Sequence, residues 1–148
     1  MKKNIKNFLF ELRKLRKNNF LDFIKIKFIY ISPNVNILIT KIPIYKRFLN
    51  PFGYLHGGIT ASLAETTSCC LSFLNIKNIM DNDAKKLQIF SVDMSISYIK
   101  NIKNGSLFSK SEIINKGKMI HFIKCNIFNE KKIIISFCKI TNVIVKYK

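Results

Sequence analysis

Between Arg47 and Lys77 the chain carries a single charged side chain, Glu65. Two turns before it stand Gly57 and Gly58, preceded by His56, with Asn50 further upstream. Paired glycines at the start of a helix let a ligand approach the backbone, and the first-turn N–H groups have no intrahelical acceptors. Such groups are donors for a developing oxyanion, and the helix dipole adds to their effect. A carboxylate in apolar surroundings can serve as general base or as nucleophile. Donor and carboxylate together suit acyl-transfer hydrolysis.

The elements that must position these groups are legible from periodicity. Ile59, Leu63, Cys70 and Leu74 form one apolar stripe from Gly57 to about Leu74, while Ala61, Ser62, Ala64 and Ser68 keep the other faces small. This predicts a central helix over residues 57–74 that other elements wrap closely, with Glu65 off the stripe yet enclosed. Phe8, Leu12 and Leu15 predict a basic amphipathic helix ending near Phe20, within an N-terminal segment 1–20. Ile24 to Tyr30 and Ile37 to Ile44 read as a hairpin across Ser32-Pro33-Asn34. Asn75 to Lys86 reads as a polar loop.

Four strands are then expected. Phe90, Val92, Met94, Ile96 and Tyr98 alternate with Ser91, Asp93, Ser95 and Ser97, which predicts a strand with an apolar inner and a polar outer face. Asn104-Gly105 signals a hairpin into Leu107–Ile114, followed by Met119–Phe128 and Ile133–Val145. The whole reads as one α+β domain over residues 1–148, with an antiparallel sheet curled round a central helix and the last four strands in a meander.

Composition excludes several classes. Lys+Arg number 26 against 8 Asp+Glu in 148 residues, but 48% of residues are apolar, enough for a core and too many for disorder. The cations are scattered, without an interleaved aromatic platform, and they accompany an abundance of Ile and Asn whose codons are AT-rich. A solvated basic exterior is expected, and no nucleic-acid partner. Cys69, Cys70, Cys125 and Cys138 form no C-x-x-C pair and have no His at metal spacing, so neither a metal site nor a disulfide framework is expected. Cys69 and Cys70 also lack the His or Asn that would activate a thiolate nucleophile. Polar residues break the segment between Arg47 and Lys77, so no membrane span is expected.

The run Asn50-x-x-Gly53-x-Leu55-His56-Gly57-Gly58-x-x-Ala61-x-Leu63-x-Glu65 resembles the signature of hotdog-fold acyl-CoA thioesterases, in the phenylacetic-acid-degradation subgroup that includes thioesterase superfamily member 2. Ser91 to Tyr98 and Lys116-Gly117-Lys118 match further segments. The resemblance spans essentially the whole chain.

It implies a hotdog fold with Glu65 as the catalytic carboxylate and Gly57 as the donor that polarises the thioester carbonyl. It further implies Asn50 orienting water or carbonyl, His56 bracing the loop into the helix, and Ser91 positioning the water. Glu65 of one subunit would face Asn50 and Gly57 of the other, so a homodimer is implied, with pairing of dimers into a tetramer. Gly58 would join the substrate site. Tyr98, Lys100 and Lys103, with Lys116, Gly117, Lys118 and the strand to His121, would line the groove for coenzyme A, the lysines meeting its phosphates. No metal or organic cofactor is implied, coenzyme A being part of the substrate. The subgroup usually has Asp where this chain has Glu65, and the loop before Ser91 is longer here. A cytoplasmic setting is expected, with mitochondrial import by the basic amphipathic start as the alternative. Two rival activities share the fold: a non-catalytic acyl-CoA-binding or sensing protein, and a hydroxyacyl-thioester dehydratase, which needs a histidine paired with the helix carboxylate.

Overall fold

A computed structural model describes residues 5–79 and 87–146. The chain runs through α1 (Ile5–Leu15), α2 (Phe20–Phe23), β1 (Lys27–Ile31), β2 (Ile37–Pro43), a 3-10 turn (Lys46–Phe48), α3 (Gly57–Ile79), β3 (Leu87–Tyr98), β4 (Ser106–Lys116), β5 (Ile120–Asn129) and β6 (Ile134–Lys146). The strands form one antiparallel sheet in the order β1-β2-β4-β5-β6-β3. It curls round α3, which touches β2 through β6. Leu63, Leu71 and Leu74 of the helix are sealed against Leu38, Ile42, Leu107 and Ile123 of the sheet, and α1 adds Phe8 and Leu12. This apolar burial is the main stabilising term of the fold.

Several expectations are corrected. The first helix stops at Leu15, because Asn19 turns its side chain back to cap α2, accepting hydrogen bonds from the Leu21 and Asp22 amides. Ile24 follows as the C-cap of α2 and Lys25 has a φ of 54°, so the first strand begins only at Lys27. Residues 1–4 of the predicted N-terminal segment lie outside the described residues, as do residues 80–86 of the predicted loop. The rest of that loop, Asn75 to Ile79, continues α3. Asn75, read as a loop residue, is buried, and its Nδ2 donates to the carbonyls of Leu71 (2.9 Å) and Val35 (2.7 Å).

The meander also contracts to three strands. β3 pairs with β6 rather than with β4, so Asn104-Gly105 is not a hairpin turn. Residues 99–105 instead cross to β4, and Leu55 N donates to Ile102 O at 2.7 Å on the way. Only β4-β5-β6 are sequential neighbours, joined by turns at Lys116-Gly117-Lys118 and Asn129-Glu130-Lys131 as expected. No described helix is long and apolar enough to cross a membrane.

A bulge in β3 shifts the phase of its alternation. Ser91 lies opposite Asn142 and Asp93 opposite Thr141, which leaves Val92 as the extra residue. Directly paired residues share a face. Ile89 and Ser91 therefore point at α3 with buried Ile144 and Asn142, whereas beyond the bulge Met94, Ile96 and Tyr98 do so with Ile140, Cys138 and Ser136. Phe90 and Val92 leave the predicted inner face and are exposed, while Ser91 leaves the predicted polar face.

Candidate active site

Gly57 opens α3 where the sequence placed it, and the loop before it is held by its own side chains. Asn50 Oδ1 accepts the amides of Phe52 (3.0 Å) and Tyr54 (3.1 Å), which leaves its Nδ2 without an acceptor among the described residues. His56 caps the helix: its Nδ1 accepts Gly58 N–H at 2.9 Å. Gly58 N–H is thus spent, whereas Gly57 N–H has no acceptor among the described residues. Tyr98 leans over this end and donates its hydroxyl to Gly57 O at 3.0 Å. A Cβ on Gly57 would lie 3.0 Å from the Tyr98 ring, so a larger residue here would push that ring aside by a few tenths of an ångström. Lys103 stacks on Tyr54, 4.5 Å from the ring centre, so the crossover carrying Lys100 and Lys103 runs beside the same loop.

Glu65 lies two turns on, roughly 12 Å along the helix axis from Gly57. Gly58, Ser62, Glu65, Cys69 and Phe73 recur at the spacing of one helical face, and none of them is buried. This face looks out of the curled sheet, between the free edge of β3 and the α1–α2 connection. Glu65 is therefore exposed in the single chain, contrary to the enclosure expected from its apolar neighbours, and its carboxylate has no hydrogen bond or ion pair among the described residues. It stands in a cleft of about 540 Å³ lined also by Leu15, Leu21, Cys69, Phe73 and Ile89. Burial, and then the Glu65 charge, push the Cys69 thiol up, and burial pushes Cys70 up to about 12, so neither is a thiolate near neutrality.

Behind the helix lies a polar chain that residue types and spacing do not reveal. Ser91 Oγ donates to Asn142 Oδ1 (2.8 Å), Asn142 Nδ2 donates to Ser72 Oγ (3.0 Å), and Ser72 Oγ meets His121 Nδ1 (3.0 Å). Ser72, Asn142 and His121 are almost fully buried. Burial, and next the charge of Lys116, hold His121 below its ordinary value of 6.5 against a smaller opposing hydrogen bond to the Gly117 backbone. The neutral ring is thus favoured by folding, and the stability it contributes is fully present above the unfolded value and is lost as pH falls below about 6.5 towards the folded one. The thermal midpoint should accordingly fall between pH 7.5 and 5.5, and His121→Asn should flatten that dependence; parallel curves for the two proteins would refute the assignment.

The predicted coenzyme A residues are not brought together in one chain. Tyr98 pairs with Ser136 at one end of the sheet, whereas His121 and Lys116 lie level with Asn142 to Lys146 at the other. Lys116 Nζ donates to Asn75 Oδ1 at 3.1 Å, on the wall of a second cavity of about 530 Å³ that Gly117, Lys118, His121 and Ile144 also line. Two clusters result, the first of Asn50, His56, Gly57, Gly58, Tyr98 and Lys103, the second of Lys116, Gly117, Lys118 and His121. Glu65 and Ser91 lie between them. Among the described residues no group of three or more His, Cys, Asp or Glu could hold a metal ion.

Comparison with known proteins agrees with this architecture. The solved thioesterase HI1161 of Haemophilus influenzae superposes with a TM-score of 0.79 at 20% identity, over 93% of this chain and 90% of its own. A variant of the thioesterase SAV0944 of Staphylococcus aureus gives 0.75 at 27% identity, over 86% and 98%. The PaaI protein of the Escherichia coli phenylacetic acid degradation operon gives 0.78 at 13% identity, over 96% of both chains. The likeness at low identity establishes the hotdog fold. Residues 52–135 match the model of the Thioesterase superfamily, a span that holds Gly57, Glu65 and Ser91 and begins just after Asn50. With more than half its length matched, and a helix-wrapping sheet that presents a carboxylate and a free helix N-terminal donor, the chain belongs to the thioesterase superfamily.

Proposed function

We propose that the protein hydrolyses fatty or aryl acyl-CoA thioesters to the free acid and coenzyme A, in sites formed between two copies of the chain. One observation carries this reading: among the described residues the Glu65 carboxylate has no hydrogen bond or ion pair and stands on an uncovered stripe of α3, beside a long β3 edge that pairs with no described strand on its outer side, while, two turns away, Gly57 N–H and Asn50 Nδ2 have no described acceptor. A strand edge of this length that exposes Phe90, Val92 and Tyr98 invites a second edge. Antiparallel pairing of β3 with its copy would close α3 against α3 and set Glu65 of each chain toward the helix N-terminus of the other. It would also carry the Lys116–His121 end of one sheet toward the Tyr98 end of its neighbour, assembling the coenzyme A groove from both. In two solved variants of SAV0944, a glutamine and a glutamate were replaced by alanine, and they stand as far apart in sequence as Asn50 and Glu65. That interval supports the pairing of roles.

In this site Glu65 removes a proton from water as the water attacks the thioester carbon, or attacks that carbon itself to give an anhydride that water then opens. The carbonyl oxygen gathers charge and takes hydrogen bonds from Gly57 N–H and Asn50 Nδ2, and collapse of the tetrahedral species expels the coenzyme A thiolate. His56 keeps the loop in place through Gly58. The reading needs no metal or organic cofactor. It places the protein in the cytosol, as a homodimer that pairs into a tetramer. Thiol release across a panel of acyl-CoA esters tests it: turnover of at least one class is expected, and tight binding of acyl-CoA without thiol release would select the sensing role instead.

A further inference from the structure

The buried chain behind α3 has a consequence for the reacting water, and it rests on the hydrolytic reading above. Asn142 on β6 has no solvent exposure and lies directly opposite Ser91, at the bulge of β3. Its orientation follows from hydrogen-bond bookkeeping. Ser68 gives its own hydroxyl proton to Glu65 O at 2.8 Å, so it can only accept from Asn142 Nδ2, 3.5 Å away. Nδ2 also donates to Ser72 Oγ, which in turn meets His121 Nδ1. Asn142 Oδ1 must therefore face β3, where it accepts Ser91 O–H at 2.8 Å and Cys69 S–H at 3.8 Å. The amide is fully used, which a buried amide requires.

We propose that Asn142 is a positioning residue for thioester hydrolysis, fixing Ser91 as a hydrogen-bond acceptor toward the attacking water. With its single proton committed inward, the half-buried Ser91 presents only lone pairs to the space beside the cleft-lining Cys69. Cys69, one turn beyond Glu65 and lining the same cleft, shares the Asn142 Oδ1 acceptor with Ser91, so the serine and the carboxylate flank the same space. Water placed there gives one proton to Ser91 Oγ and directs the other at Glu65, which leaves a lone pair for the thioester carbon. A serine free to rotate would donate to water half the time and turn that lone pair away. The interaction belongs to water, not to the acyl group or coenzyme A, so it acts on kcat and not on KM.

The test is a double-mutant cycle on the full chain. Asn142→Leu keeps the branched outline in a somewhat larger side chain and removes the acceptor; kcat should fall about tenfold with KM within about twofold, in the range of one lost orienting hydrogen bond. Ser91→Ala should lose a similar factor, and the double variant no more than either alone, because the two act as one unit. A folded Asn142→Leu protein with unchanged kcat, or a double variant whose loss is the product of the two single losses, overturns the proposal. If Asn142→Leu does not fold, Ser72→Ala carries the test: it should lower kcat in the native background and leave it unchanged in the Ser91→Ala background, and equal losses in both would overturn it. Full turnover by Glu65→Ala would instead defeat the hydrolytic reading itself, whereas an inactive Glu65→Ala beside a fully active Asn142→Leu would defeat this inference alone.

Discussion

Glu65→Ala should reduce thioester hydrolysis by a factor of about 100 to 10,000, and leave the protein folded. The size follows from the chemistry: no other carboxylate stands on the open face of α3, and the flanking Cys69 is held as a thiol. The intact fold follows from the geometry. In the single chain the side chain is exposed and makes no hydrogen bond or ion pair among the described residues, so its removal breaks no native contact, and surface changes of this kind stay within about 0.5 kcal/mol. Circular dichroism and the thermal midpoint should match the native protein while thiol release is lost. Native-like turnover would remove Glu65 from the reaction.

Mixing two inactive proteins should restore activity. Glu65→Ala supplies an intact Asn50 and Gly57; Asn50→Ala supplies an intact Glu65. On one helix Glu65 and Gly57 stand roughly 12 Å apart, too far to act on one carbonyl group. If each site takes Glu65 from one chain and Asn50 from the other, random exchange makes half the dimers mixed, with one intact site in each, and returns about one quarter of native activity. Exchange by dilution and reconcentration, followed by a thiol-release assay, measures the fraction. A mixture no more active than its components would show that both groups act within one chain.

Local signals in the sequence transferred well to the structure. The glycine pair opening α3, the turn at Lys116-Gly117-Lys118 and the four later strands all appear within a few residues of their predicted bounds. What was not legible is non-local. Nothing in Asn104-Gly105 says that β3 will leave its sequence neighbour and pair with β6, because strand order is set by which edge closes the sheet over α3. The inner face of β3 was misread at Phe90 and Val92, since a bulge adds one residue without disturbing the alternation of side-chain types. Asn75 looked like a loop because polarity was taken for exposure, while the structure spends its amide on two carbonyls. Within the candidate site, Glu65 and Gly57 stand out by type and spacing, whereas Asn50 and His56 enter through the family resemblance. Asn142, Ser72 and Ser68 do neither, because their partners lie on other elements and only the register of β3 on β6 joins them. The enclosure of Glu65 failed for a related reason: apolar neighbours along the helix do not reveal which face a single chain leaves uncovered.

The extra residue at Val92 divides one strand into two independently tunable lengths. From Leu87 to Phe90 the strand borders the cleft, and from Met94 it runs to Tyr98, which bonds the start of α3. Side chains in the first length can be exchanged to suit a different acyl group without disturbing the second, because each keeps its own phase relative to the helix. A strand that kept Val92 but lost the bulge would abolish that independence: with Ser91 toward the helix, plain alternation would turn Met94, Ile96 and Tyr98 outward, so the two ends of the strand would compete for a single register.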